Sequence, residues 1–278
     1  MAEPIITEID GLPCRLAAPW DFSFLRQYGR VFQVFDDQDS GNLCFGTEKE
    51  GTRFFVKFAG APTARGTGSP AQAIERLRAA VPIYRNLAHP NLIQLLEAHE
   101  AGKGYAAVFR WAEGDCMGRM YPEPHARFMA LPLETRMAVY RDVLDFLAYV
   151  NRQGYVAVDF YDGSILYDFK RQTTTICDID FFRKQPATND MGRLWGSSLF
   201  MSPEEYQLGA VLDQVTNVYT AGAVAFALFG GYRRERENWQ LDSRRFAAVS
   251  RAVDEDRSRR HSSIEELSAE WNLGILEG

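Results

Sequence analysis

The periodicity of the chain changes once, near residue 112, and that change restricts the fold more than any other feature. Before it, apolar residues come in short runs rich in Val and Phe: "GRVFQVF", "GNLCFGTE", "RFFVKF", then "NLIQLLEAHE" and "GYAAVFRW". Turn residues separate these runs, the pattern of strands in an antiparallel meander. After it, "LPLETRMAVYRDVLDFLAYVNRQG" places Val139, Val143, Phe146, Leu147 and Val150 on one helical face, with Gly154 as the C-terminal cap. Two short apolar pieces follow, "YVAVDF" and "TTTICDIDFF", and from Ser202 onward helix dominates. Strands first and helices later predict an α+β protein in two lobes, divided within "RWAEGDCMG". One helix is predicted inside the strand-rich part. Ser69 precedes Pro70, and Gln72 completes a capping box with the serine. Pro82 is expected to kink that helix or end it early.

Composition removes several functional classes. The 278 residues carry a net charge of −6, which leaves no footprint for nucleic acid or an anionic membrane. The arginines of "YRRERENW" and "DRSRRHSS" are mixed with acids and read as solvated surface. "MAEPIITEIDG" lacks the basic start and long apolar core of a signal peptide. "VYTAGAVAFALFGGY", Val218 to Tyr232, is too short and glycine-rich for a membrane span and predicts a buried core helix. Cys14, Cys44, Cys116 and Cys177 form no C-x-x-C pair and no ligand spacing with the four histidines, so reduced thiols in the cytoplasm are expected.

Several stretches, in order, resemble the protein kinase superfamily over roughly residues 30 to 270. Lys57 in "FFVKF" is similar to the family lysine that grips the α- and β-phosphates of ATP. "LAHPNLIQL" resembles the turn and strand after the first large helix. "YAAVFRWAEGD" resembles the gatekeeper and hinge, with Phe109 as gatekeeper and the backbone of Arg110 and Ala112 meeting the adenine. "GYVAVDFYDGSILYD" resembles the catalytic loop and "ICDID" the metal-binding D-F-G strand. "SPEEYQLGA" resembles the end of the activation segment, where Arg260 would pair with Glu204. The resemblance implies a bilobal α+β fold: a small antiparallel sheet with one main helix (25–112) and a larger, mainly helical lobe (113–278). Residues 1–24 match no part of it and stand as an N-terminal extension. The compact chain suggests a bacterial-type Ser/Thr protein kinase-like protein.

Phosphoryl transfer needs phosphates held in line, a metal to spread charge and an acceptor for the hydroxyl proton. The resemblance assigns these roles to Lys57, to Asp178 as ligand of Mg²⁺ (or Mn²⁺), and to Asp159 as base. Asp180, two residues beyond Asp178 on an extended chain, would offer a second carboxylate from the same side. Ser164 stands where the family has a metal-binding asparagine. The departures are specific. H-R-D is replaced by Ala157, Val158, Asp159, and the lysine two residues on by Tyr161. The aspartate that braces the catalytic loop is replaced by Asn217, so the brace is expected to be lost. The helix glutamate position, counted from "HPN", is Ala80; Glu75 lies about 140° away around the helix.

The tip "DDQDSG" covers the family's glycine-rich loop, with Asp36 and Gln38 at the first two glycine positions and only Gly41 retained. A carboxylate about 5 Å from a phosphate repels it by about 3 kcal/mol at an effective dielectric near 20. Either extra metal offsets this, or the aspartates point to water, the reading preferred here. In both cases weak grip on ATP by this loop is expected. Two further functional readings stay open beside kinase activity on a protein hydroxyl. One is a pseudokinase acting on a protein partner without transfer. The other is a small-molecule phosphotransferase, against which "SPE" with Arg260 argues.

Overall fold

The structure is a computed structural model, and it describes residues 4–37, 40–66 and 68–273. The chain divides into two compact units, residues 1–88 with 93–112, and residues 89–92 with 113–278. The first is strand-rich and the second mainly helical, the α+β class that the resemblance implies.

The first unit begins with a hairpin, β1 (Ile5–Ile9) and β2 (Leu12–Leu16), turned by Asp10 and Gly11, both at positive φ. A five-stranded antiparallel sheet follows. It is built from β3 (Arg30–Phe35), β4 (Asn42–Lys49), β5 (Thr52–Ala59), β6 (Leu95–Ala101) and β7 (Gly104–Arg110), in the order β3-β4-β5-β7-β6. Helix α1 (Pro70–Asn86) starts at the Ser69 capping box, with both reciprocal bonds made. It runs through Pro82 instead of ending there. Pro82 and Arg78 are both exposed, so water can satisfy the carbonyl that the proline leaves unbonded. Residues 14–22, unassigned from sequence, contribute to this unit's core. Cys14, Leu16 and Phe22 pack with Leu43, Phe45, Val56 and Phe58.

Among the described residues the second unit is built from five α-helices, of which two are deeply buried. In α2 (Pro122–Met129) only Phe128 is buried, whereas in α3 (Leu133–Arg152) the expected face of Val139, Val143, Phe146, Leu147 and Val150 is buried throughout. Gly154, at φ 72°, ends that helix in the left-handed conformation that glycine adopts freely. Helix α4 (Gln214–Phe229), buried from Thr216 to Phe229, is the core helix expected from its composition. Among the described residues no helix is long and apolar enough to cross a membrane. Helices α5 (Ser243–Ala252) and α6 (Ile264–Asn272) close the unit, and Trp271 packs on Tyr140 with ring centroids 4.6 Å apart.

Candidate functional site

Strand pairing sets the orientation of Lys57. It lies opposite Cys44 on β4 and Ala107 on β7, two residues from Phe55, which lies opposite Phe109. Side chains two apart and directly paired share a face, so Lys57 shares one with Phe55 and Phe109. Val56 and Phe58 point the other way, into the core. Phe109 is 2% exposed and meets Tyr84 of α1 edge-on at 4.8 Å, which identifies its face as the one covered by the helix. Ala80, one turn before Tyr84, is fully buried, and Glu75 is exposed. Past Phe109, the sheet ladder takes the N–H of Arg110 (to Gln94 O, 2.9 Å) and of Trp111 (to Arg53 O, 3.2 Å). Among the described residues that ladder stops before Ala112.

The hairpin tip corrects the preferred reading of its aspartates. Asp36 does not point to water. Its carboxylate accepts from the backbone N–H of Arg15 at 2.6 Å and from both sides of the Arg15 guanidinium fork at 3.0 and 2.6 Å. Burial works to raise the Asp36 carboxyl, but the bonds from Arg15 outweigh it and hold it below the ordinary carboxylate range. Asp37 pairs with Arg65 at 2.6 Å, and the Arg76 guanidinium on α1 donates to Ser40 O at 2.8 Å. Three arginines, from β2, from the loop before α1 and from α1, therefore clasp the tip. Gly41, at φ 79°, faces Ala73 of α1. Gln38 and Asp39 lie outside the described residues. Arg15→Ala is expected to speed backbone amide exchange in residues 34–37 and 40–44 and leave α1 unchanged; equal rates in variant and wild type would remove the clasp's role.

In the second unit, two short elements carry the candidate aspartates. Asp159 follows β8 (Tyr155–Val156), and Asp178 follows β10 (Thr173–Ile176), whose partner is β9 (Ile165–Asp168). Asp159 is half-buried and Asp178 exposed. Both sit at positive φ, 61° and 56°, a region uncommon for residues other than glycine. The backbone leading into each is held by an asparagine distant in sequence. Asn217, at the start of α4, accepts from Ala157 N–H at 2.7 Å and donates to Tyr155 O at 3.0 Å. The expected loss of this brace is therefore overturned, because a carboxamide supplies the same acceptor as a carboxylate and adds a donor. Asn91, in the "HPN" turn, donates its side chain to Thr174 O at 3.1 Å and accepts from Ile176 N–H at 2.5 Å.

The chain from Asp178 to Asp180 is not extended, so the expected same-side placement of the two carboxylates has no support. The left-handed backbone at Asp178 breaks the alternation, and a turn bonds Phe182 N–H to Ile179 O. Asp180 itself is half-buried. Ser164 is fully buried, and its hydroxyl has no hydrogen-bond partner among the described residues. Tyr161 lies over Gly163, where a β-carbon would fall 2.2 Å from the ring. Burial first, then the charges of Asp178 and Asp159, push the Tyr161 phenol well up, so it stays neutral. Gly196 passes Asp159 so closely that a β-carbon there would stand 3.5 Å from the carboxylate. Burial pushes the Cys116 thiol up to about 11, so it is a packing group.

The end of this region is fixed by the expected ion pair. Arg260 donates to both oxygens of Glu204 at 2.8 and 3.1 Å, with both side chains buried. The next residue, Glu205, is 2% exposed and accepts from Ser202 N–H and Oγ at 2.6 and 2.9 Å. Burial raises its carboxyl from 4.5 to about 7. A folded-state value above the unfolded one means the native protein holds the extra proton between the two. The contribution of Glu205 is thus complete below pH 4.5 and is lost as pH rises to about 7. In melting experiments Glu205→Gln is expected to match wild type near pH 4.5 and to exceed it above pH 7; a pH-independent difference would contradict the shift.

Sequence reasoning missed Arg15 as the partner of the tip. A signal existed: Asp10-Gly11 between apolar residues is a hairpin mark. No family model matches the chain. Among curated proteins, it is 23% identical over 215 residues to the dual specificity protein kinase zakA of Dictyostelium discoideum, covering 70% of this chain and 26% of that one. It is 23% identical over 230 residues to CDPK-related kinase 1 of Arabidopsis thaliana, covering 81% and 39%. It is 26% identical over 218 residues to a CDPK-related protein kinase of Daucus carota, covering 76% and 35%. The chain thus spans well under half the length of these relatives.

Proposed function

Because the chain is related to the protein kinase superfamily, we propose that it is an atypical Ser/Thr protein kinase-like protein that binds ATP with Mg²⁺ or Mn²⁺ and transfers the γ-phosphoryl group to a protein hydroxyl. The observation that carries this reading is the pair of left-handed aspartates, each just after a braced strand. Asp159 and Asp178 both hold an uncommon left-handed backbone, and the strand leading into each is tied by an asparagine from another element. Such conformations persist where the surroundings over-determine them, and they cluster at functional sites.

Bound metal and nucleotide supply the transferable group and spread its charge. In this reading Lys57 grips the α- and β-phosphates, with Phe109, Arg110 and Ala112 at the adenine. Asp178 holds the cation, with the orphan hydroxyl of Ser164 as a further oxygen donor. Among the described residues no group of three His, Cys, Asp or Glu side chains forms a metal cage. That suits Mg²⁺, which takes one or two carboxylates and fills its other positions with phosphate and water. Asp159 accepts the proton of the attacking hydroxyl. The clasped tip supports nucleotide binding, because Arg15 and Arg65 cancel the charges of Asp36 and Asp37 that would repel phosphate. Gly41 alone keeps the freedom of a phosphate loop there. The thiols, none in a disulfide, suit a cytoplasmic protein.

A pseudokinase is the second reading, favoured by the uncharged Ala80 and the neutral Tyr161. Labelled ATP with Mg²⁺ or Mn²⁺, given to wild type and to Asp178→Asn, separates the readings. Transfer to the protein itself or a generic protein acceptor, absent in the variant, is the expected result. Nucleotide binding without transfer supports the pseudokinase and contradicts the proposal, as does transfer confined to a small metabolite.

A further inference from the structure

Helix α4 does not end in an ordinary cap. Its last residue, Phe229, is followed by Gly230, and then Gly231 and Tyr232 both adopt left-handed backbone, at φ 57° and 68°. Glycine takes this conformation freely, but a bulky aromatic residue there is an outlier. The strained backbone directs the tyrosine inward. Tyr232 donates its hydroxyl to Asp162 Oδ2 at 2.5 Å, while its N–H bonds Phe226 O at 3.1 Å. Its ring packs on Phe200 at 6.4 Å and beside His125 at 5.7 Å, with the Arg119 guanidinium 5.4 Å above it.

Asp162 is the other half of the contact. It is 3% exposed, and among the described residues it forms no ion pair. Its Oδ2 accepts from both the Tyr232 hydroxyl and the backbone N–H of Arg119 at 3.2 Å. A buried carboxylate needs such donors, and each one lost leaves a desolvated acceptor. Asp162 also opens the short 3₁₀ turn Asp162–Ser164, three residues after Asp159, and Ser164 N–H closes that turn on Tyr161 O at 3.0 Å. Tyr161 in turn meets Phe200 edge-on at 6.1 Å.

We propose that Tyr232 is a positioning residue for the loop that carries Asp159, holding its far end through the Asp162 carboxylate while Asn217 holds its near end. The claim rests on the reading of Asp159 as the base. Tyr232 touches no reacting atom; it acts through the geometry of residues 159–164. The strain at the end of α4 is the structural means by which a hydroxyl on one element reaches a carboxylate on another.

Tyr232→Phe keeps the ring and the backbone and removes only the hydroxyl. Amide exchange in residues 157–166 is expected to rise about tenfold, the scale of one hydrogen bond to a charged group, with α5 unchanged. In the phosphotransfer assay kcat falls about tenfold and the KM for ATP stays within about twofold, since the nucleotide grip does not pass through Asp162. Asp162→Ala reproduces both effects, and the double variant is no worse than Asp162→Ala alone. Wild-type exchange in the Tyr232→Phe loop, or additive single effects, would overturn the proposal. So would a kcat unchanged beside a loosened loop, which leaves Tyr232 a merely structural role. Should the wild-type protein transfer no phosphate, the reading of Asp159 fails, and exchange with the double variant still decides whether Tyr232 holds the loop.

Discussion

Replacing Arg260 by alanine lowers the stability of the helical unit by about 3–5 kcal/mol, the usual loss when one partner of a buried pair is removed. The Arg260 side chain is fully buried and that of Glu204 is 6% exposed. The guanidinium also donates to Asp254 O at 2.7 Å, so one side chain joins three segments. Burial works to raise the Glu204 carboxyl, but the hydrogen bonds and charge of Arg260 outweigh it and hold it below its ordinary value. Without Arg260 the carboxylate keeps the Thr216 hydroxyl at 3.0 Å and its own backbone N–H. It must then ionise in a poor solvent or take up a proton. Urea unfolding at neutral pH measures the loss, and lowering the pH narrows it as Glu204 protonates. Arg260→Lys is expected to recover part of the loss, because a single ammonium cannot reproduce the fork. A loss below about 1 kcal/mol would show a pair that water reaches, contrary to its burial.

Asp159→Asn lowers kcat by about 10²–10⁴, the range over which a positioned general base acts. An amide keeps the shape and one acceptor oxygen but cannot take a proton. The ATP affinity is expected to hold within about twofold, since phosphate grip and metal binding are assigned to Lys57 and Asp178. Single-turnover rates beside equilibrium binding separate the two quantities. An unchanged rate would remove Asp159 from the chemistry. An affinity lost together with the rate would place it among the metal ligands.

The parts of the fold that were legible in the sequence are those with local signatures. The Ser69–Gln72 capping box starts α1, and the apolar period of residues 139–150 defines α3, because caps and burial periods depend on neighbours within a few positions. The pairing of Glu204 with Arg260, 56 residues apart, was reached through the family resemblance and not through any local rule. Other features depend on what lies across space. Whether Asp36 meets water, metal or an arginine is decided by a hairpin 21 residues upstream. That Asn217 still braces the loop at Ala157 depends on one oxygen that Asn and Asp share. Pro82 does not end α1, because an exposed helical face tolerates an unbonded carbonyl. The reasoning for Asp180 failed for a related cause: no residue type announces that Asp178 turns left-handed.

We propose that binding of a magnesium-bound nucleotide requires both Lys57 and Asp178. Titration calorimetry with ATP tests it most directly, in Mg²⁺ and in excess chelator, on wild type, Lys57→Ala and Asp178→Asn. The account predicts binding to wild type that needs Mg²⁺, weakened at least tenfold by Lys57→Ala, a loss of about 1.4 kcal/mol or more. It also predicts that Asp178→Asn abolishes the difference between metal and chelator. Equal ATP affinity in all three proteins, or wild-type binding indifferent to Mg²⁺, would contradict it.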